Sequence, residues 1–168
     1  MTTAPLAFDP IEEAARQWRA HGWGDAADGM AAVTSLMRAQ AIMLARAEAV
    51  LRPLGLSFAR YELLTLLSFT RRGTLPMARA GTLLQVHPTS ITNAVSRLEK
   101  AGLVRREQHP SDGRAVLIHI TEPGRVLVAE ATKHINAALF TRPGLPPQRL
   151  RTLFSVIRDL RREAGDFA

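Results

Sequence analysis

The apolar residues of this chain change their spacing at Gly102. Up to that glycine they recur at the interval of helices, and between Leu103 and Ile120 they alternate with polar residues as β-strands do. The Asp-Gly pair within the alternating stretch favours a hairpin with its loop at residues 110–114. We therefore predict a mainly α fold that carries one small β-hairpin directly behind a helix.

The rest of the chain has the pattern of helices bounded by proline and glycine. Residues 1–10 contain two prolines and are expected to form an extended lead-in. The short helix, tight turn and helix before the hairpin have the order of a helix-turn-helix. Helical spacing predicts helices over residues 11–19, 25–51, 58–69, 77–84, 88–101, 123–140 and 148–163.

The clearest of these helices is 88–101. Pro88 suits its first turn, and Gly102 lies just past its end. A rotation of about 100° per residue gathers its apolar side chains into a narrow stripe, formed by Ile91, Ala94, Val95 and Leu98. The opposite side carries amide, hydroxyl and cationic groups, which are the groups that read base edges in a major groove. The competing interpretation is an ordinary solvated helix face.

Cations also mark the hairpin. Arg105 and Arg106 lie on one arm, and Arg114 follows Asp112-Gly113 near the tip. From there they could reach phosphates or a minor groove, although a plain surface hairpin can carry the same residues. The predicted DNA-binding residues are His87, Thr89, Ser90, Thr92, Asn93, Ser96, Arg97, Lys100, Arg105, Arg106, Asp112 and Arg114.

The charge of the chain agrees with an anionic partner. The formal net charge is +7, but it is uneven, because residues 1–30 hold five acids and two bases whereas residues 53–122 hold nine bases and five acids. Such a basic body attracts nucleic acid above all, or an anionic membrane face. We expect double-stranded DNA as the partner and no membrane, since no apolar run is long enough to span a bilayer and no secretory leader is visible. A cytoplasmic protein is the expectation.

The composition argues against several classes of site. The chain has no cysteine, which excludes disulfides, thiolate zinc sites and cysteine-based peroxide sensing. Its five histidines show no metal-ligand spacing, and no nucleophile elbow, phosphate-binding loop or paired zinc-binding histidines are present. We expect neither an enzyme nor a bound metal or cofactor.

Two motifs carry a resemblance to a known family. Residues 89–104 resemble the recognition helix and following strand of the MarR family of winged-helix regulators. Asp112-Gly113-Arg114, followed by residues 118–124, is similar to the wing and the next helix of that family. The resemblance covers about residues 28–163 and implies a winged helix-turn-helix with N- and C-terminal dimerisation helices. It also implies a homodimer on a pseudo-palindromic operator. Members of the family mostly repress transcription, and many release DNA when a small, often aromatic or anionic, molecule binds between the dimer region and the DNA-binding lobe.

On this basis residues 1–27 are an N-terminal extension and residues 28–168 a MarR-type domain. Within that domain, 28–52 and 123–168 are the predicted dimerisation helices and 53–122 the DNA-binding lobe. Two indoles and an imidazole in the extension could stack on an aromatic or acyl effector, or could belong to a strap that packs on the dimer core. The predicted ligand-binding residues are Trp18, His21, Trp23, Met37 and Tyr61.

The functional prediction is therefore a sequence-specific, homodimeric transcriptional repressor that a small molecule releases from its operator. One alternative is an architectural, nucleoid-type DNA-binding protein without an effector. A more distant alternative is a small-molecule-binding protein that has lost DNA binding. Equally tight binding to random DNA favours the architectural protein, and a high specificity ratio favours the regulator.

Overall fold

The structure is a computed structural model that describes residues 5–168, except for the side chain of Arg114. Two compact units divide the chain, the first ending at Phe58 and the second beginning at Ala59. The elements in chain order are α1 (Pro10–Ala20), α2 (Gly24–Leu51), a 3₁₀ turn (Arg52–Leu54), α3 (Phe58–Ser68), β1 (Thr74–Pro76), α4 (Met77–Leu84), α5 (Pro88–Lys100), β2 (Val104–His109), β3 (Asp112–Ile120), α6 (Glu122–Ile135), a π-helical turn (Asn136–Phe140) and α7 (Pro147–Glu163). Among the described residues, no helix is long and apolar enough to cross a membrane.

The first unit is a pair of helices. Asp9 caps α1 by accepting a hydrogen bond from the main-chain N–H of Ile11 at 2.8 Å, and α1 packs on α2. The buried residues at this contact are small, Ala15 and Ala27, and small side chains let two helices approach closely. The long α2 nevertheless leaves many apolar side chains exposed to solvent, namely Val33, Leu36, Met37, Ile42, Met43 and Leu44.

The second unit has its own hydrophobic core. Branched apolar side chains from three helices and the sheet fill it, and burying each one stabilises the fold by about 1.5–3 kcal/mol. Its fully or nearly fully buried members include Leu63, Leu64, Leu67, Ile91, Val95, Leu98, Val104, Ile118, Val128 and Ile135. In contrast, α7 contributes no buried residue.

A three-stranded antiparallel sheet has the order β1-β3-β2. The strand β1 is an addition to the predicted hairpin. It has only three residues and ends in Pro76, so no alternation was available to predict it. It pairs Leu75 with Ile118 and thereby ties the start of α4 to the hairpin.

The predicted loop at residues 110–114 is wrong in its extent. Pro110 and Ser111 alone make the turn, and Asp112, Gly113 and Arg114 already belong to β3. An irregular register after Gln108 brings His109 opposite Asp112. The side-chain amide of Gln108 donates to the carbonyl oxygen of Gly113, so the Asp-Gly pair is held in the strand and not at the tip.

The predicted helices agree with the structure to within one residue at each end, with one exception. The helix predicted over residues 123–140 is α-helical only to Ile135 and then widens into the π-helical turn. No proline or glycine occurs between Ile135 and Phe140, so the sequence carries no signal of this change.

The start of α6 lies against the end of the α5–β2 connection. Thr121 caps α6 through its hydroxyl, and its main-chain N–H donates to Leu103 O at 3.1 Å. A Cβ atom on Gly124 would lie 2.2 Å from Leu103 O and 2.9 Å from Ile120 Cγ1. Only a residue without a side chain fits at this approach.

We therefore expect Gly124→Ala to destabilise the protein by about 1–3 kcal/mol, since backbone must shift to admit the methyl group. Gly29→Ala is the matched control, because Gly29 lies within α2 and a Cβ there meets nothing within 4 Å. Alanine at that position should stabilise the helix by up to about 1 kcal/mol. Urea unfolding of both variants measures the two effects, and equal stability of the two variants would contradict the close approach.

Candidate nucleic-acid interface

The helix α5 is fixed at both ends and along one side. His87 caps its start, where the ring Nδ1 accepts a hydrogen bond from Thr89 N–H at 3.2 Å. Ile91, Val95 and Leu98 are buried, as the apolar stripe predicted. Ala94 is half-buried at the edge of that stripe. The orientation of the helix leaves its opposite side facing solvent.

That outward side carries the polar residues that the sequence indicated. Asn93, Arg97 and Lys100 are exposed, and among the described residues their side chains make no intramolecular hydrogen bond or ion pair. Two hydroxyls are turned back to the helix, because Thr92 Oγ1 donates to Pro88 O at 2.9 Å and Ser96 Oγ donates to Thr92 O at 2.8 Å. Thr89 and Ser90 are exposed in the first turn.

Arg106 lies between the wing and α5. Its Nη2 donates to Ser96 Oγ at 2.6 Å and to Thr92 O at 3.3 Å, and its Nη1 lies 3.2 Å from Glu99 Oε2. The other oxygen of Glu99 accepts the main-chain N–H of Arg106 at 3.0 Å. The structure therefore brings three predicted site residues into one cluster and adds Glu99, which the sequence did not single out.

Arg105 lies on the other side of β2 and has a different partner. Its Nη1 is 2.5 Å from Glu107 Oε2, and the same oxygen is 3.1 Å from His119 Nε2. The Nδ1 atom of His119 is 2.8 Å from Thr74 Oγ1, so this cluster joins all three strands. Glu107 and His119 were not predicted as site residues. Glu107 lies two residues after Arg105 on β2, and His119 lies directly across from Arg105 on β3. These positions are the only sequence signal that could have indicated the two residues as partners of Arg105.

The electrostatics of this cluster follow from its contacts. Hydrogen bonding to Arg105 lowers the pKa of the Glu107 carboxyl. Burial lowers the pKa of His119, and the nearby Arg105 guanidinium lowers it further, whereas Glu107 opposes both. His119 is therefore held in its neutral form more strongly than a free histidine.

The wing tip is described only in part. Asp112 is exposed and begins β3 opposite His109. The backbone of Arg114 belongs to the same strand, but its side chain lies outside the described residues, so its predicted contact with a minor groove stays a prediction.

The predicted ligand-binding residues belong to both units, and a site that they share stays a prediction. Trp18 and Trp23 meet edge to face with 5.3 Å between ring centroids, and His21 stacks on Trp23 at 5.9 Å. Met37 is exposed on α2, about 20 Å further along that helix from Trp23. Tyr61 is buried in the second unit, where its hydroxyl lies 3.2 Å from Thr132 Oγ1. No group of side chains in the described part of the chain has the composition of a metal site.

Comparison with known proteins decides the family. A sequence model of the MarR family matches residues 57–116. The structure is similar to that of Sco5413, a MarR family transcriptional regulator from Streptomyces coelicolor, with 46% sequence identity and a TM-score of 0.77 over 83% of this chain and 97% of that chain. This chain belongs to the MarR family.

Other relatives are transcriptional regulators of the helix-turn-helix type. The transcriptional repressor Rv2887 of Mycobacterium tuberculosis is 31% identical over 68% of this chain and 83% of its own length. Sco3205 from Streptomyces coelicolor, solved in complex with DNA, is 27% identical with a TM-score of 0.67 over 77% of this chain and 86% of that chain. The regulator ML2140 of Mycobacterium leprae is 38% identical, but the matched segment spans 52% of its length.

The lowered pKa of His119 predicts a dependence of stability on pH. Because this pKa is lower in the folded chain than in the unfolded chain, unfolding takes up a proton at mildly acidic pH, and stability falls as the pH decreases toward the folded pKa. We expect His119→Gln to show a smaller loss of unfolding free energy between about pH 7 and about pH 5 than the unmodified protein. His134→Gln removes an exposed histidine from α6 and is the control. Parallel pH profiles for all three proteins would contradict the assignment.

Proposed function

We propose that this MarR-family protein binds double-stranded DNA sequence-specifically as a homodimer and represses transcription until a small molecule releases it. The observation that carries the proposal is the outward face of α5, where an amide and two cations project from a helix that is anchored on its other side. Such a helix can enter a major groove while the wing lies along the backbone. Its relatives are named as transcriptional regulators and repressors, not as enzymes.

In this arrangement some side chains on α5 and the wing contact bases, and others contact phosphates. The Asn93 amide makes no hydrogen bond among the described residues, so its donors and its acceptor suit base edges, adenine above all. Lys100 and Arg105 suit phosphates, which supply affinity without sequence preference. Arg114 is proposed to enter the minor groove and Asp112 to stiffen the tip. An architectural role remains the competing function, and it predicts equal affinity for all sequences.

Asn93→Ala and Lys100→Ala separate base reading from phosphate binding. The probe is a duplex enriched on the unmodified protein from a random-sequence pool, measured beside the unselected pool. We expect Asn93→Ala to relax preference at particular base pairs at a cost of about 1–3 kcal/mol. Lys100→Ala should weaken both probes alike and flatten the salt dependence by about one unit. Identical behaviour of the two variants would refute this docking of α5, and no enrichment from the pool would favour the architectural protein.

The apolar surface of the helices supports the homodimer. All the apolar side chains of α7 are at least partly exposed, with Phe154 at 63% and Val156 at 61%, and α2 carries a second exposed set. Exposed apolar surface of this kind is a liability on a monomer unless a partner covers it. We propose that a second copy of this chain covers it, in agreement with the family.

Phe154→Asp tests this proposal, because a carboxylate in an apolar interface stays unpaired and opposes association. We expect the variant to shift from dimer to monomer or to aggregate, measured by light scattering after gel filtration. Thr152→Asp adds the same charge to the same helix, about 160° away from Phe154, and should remain dimeric. A dimeric Phe154→Asp protein would place the interface elsewhere.

A small-molecule effector completes the proposal. CouR from Rhodococcus jostii, which is 28% identical over 74% of this chain and 87% of its own, was solved bound to p-coumaroyl-CoA. We propose an aromatic or anionic molecule for this protein also, with the contacting Trp18, His21 and Trp23 as candidate ligand residues. The first assay measures release of the enriched duplex when p-coumaroyl-CoA is added. The alternative role of Trp18, His21 and Trp23, the aromatic trio, is to form a strap that packs on the dimer core.

A further inference from the structure

We propose that Arg106 is a specificity-determining positioning residue, which holds the Ser96 hydroxyl so that it can only accept a hydrogen bond from DNA. The two residues then read an exocyclic amino group, on adenine or cytosine, at one base pair of the operator. The inference rests on the proposed DNA binding and replaces the simpler expectation that Arg106 holds a phosphate.

The first support is the number of contacts that Arg106 makes within the chain. Thr92, Ser96 and Glu99 lie on one side of α5, since steps of three and four residues return to the same side of a helix. Arg106 reaches all three, at 3.3 Å, 2.6 Å and 3.2 Å, and its own main-chain N–H is bound by Glu99. A guanidinium can make these contacts together because its donors are arranged in a planar fork.

Burial separates Arg106 from its neighbour. The side chain of Arg106 is 32% exposed and that of Arg105 is 59% exposed. The Nε atom of Arg106 is buried and has no hydrogen-bond partner among the described residues. To reach a phosphate, Arg106 would have to leave Ser96, Thr92 and Glu99 at once, whereas Arg105 would exchange a single carboxylate. Phosphate binding therefore suits Arg105.

The second support is the hydrogen-bond inventory of Ser96. A serine hydroxyl has one donor and two acceptor positions. The proton of Ser96 is used, because its Oγ donates to Thr92 O at 2.8 Å, and one acceptor position is used by Arg106 Nη2 at 2.6 Å. One acceptor position is left, on an exposed residue of the outward face.

This leftover acceptor has a defined complement in the major groove. Adenine N6 and cytosine N4 present amino donors there, whereas guanine O6 and thymine O4 are acceptors. Ser96 without Arg106 could rotate its hydroxyl and serve either kind of base. Arg106 therefore restricts Ser96 to bases that present an amino donor.

The test uses the duplex enriched on the unmodified protein and a panel of its single base-pair variants. Ser96→Ala first identifies the base pair at which discrimination is lost. We expect an amino-bearing base at that position, and we expect its replacement by guanine or thymine to weaken binding by the unmodified protein about tenfold. Arg106→Lys, which keeps the charge but not the fork, should reduce that discrimination to about twofold. The double variant that combines Ser96→Ala with Arg106→Lys should lose no more discrimination than Ser96→Ala alone, since both changes act on one contact.

The salt dependence of binding supplies an independent readout. Arg106→Lys and Glu99→Gln should leave the salt slope unchanged, whereas Arg105→Gln should flatten it by about one unit. Thermal unfolding of each variant establishes that it is folded.

Four results would overturn the inference. Two concern Arg106: the Arg106→Lys variant keeps the tenfold discrimination, or Arg106→Gln weakens binding of the enriched and random duplexes equally and flattens the salt dependence. The other two concern Ser96: the Ser96→Ala variant loses discrimination at no base pair, or the base that it identifies is guanine or thymine. If the unmodified protein does not distinguish enriched from random DNA, the proposed function fails first, and the two failures are thereby distinguished.

Discussion

The attachment of α5 through Ile91, Val95 and Leu98 is the interaction on which the rest of the second unit depends. Because these three side chains are buried, the rotation of the helix about its axis is fixed. Every polar group on its other side then has a determined direction, and so do the wing strands that follow without a long connection. A core contact thus sets the geometry of the surface. Losing one of these side chains would cost about 2–5 kcal/mol and would also disturb the orientation of the outward residues.

The same features explain how far the sequence could predict the structure. Helices bounded by Pro88, Gly102 and Pro147 follow from local signals, and the amphipathic pattern of α5 shows which side is outward. The strand β1 and the π-helical turn could not be predicted in this way. A three-residue strand exists only because β3 is there to pair with it, and the widening of α6 leaves no mark in residue type.

For the site, the sequence indicated the charges but not their partners. Arg105 and Arg106 are adjacent in β2, so their side chains point to opposite faces of the strand. Arg105 consequently contacts Glu107, and Arg106 contacts α5. There Glu99 accepts a hydrogen bond from the main chain of Arg106 and forms an ion pair with its side chain. Two arginines that look equivalent in composition are therefore different in exposure and in the free energy needed to move them. This difference depends on which residues of α5 and β3 lie opposite each arginine, and the sequence alone does not specify that pairing.

The placement of the tryptophans has a spectroscopic consequence. The chain has two, and both belong to the aromatic trio beside the α1–α2 turn, within the first unit. Tryptophan fluorescence, excited at a wavelength that Tyr61 does not absorb, therefore reports the surroundings of that turn. Far-ultraviolet circular dichroism, in contrast, sums over the helices of both units. A denaturation followed by both signals would separate the loss of the first unit from the loss of the second, and coincident curves would show that the two units unfold together.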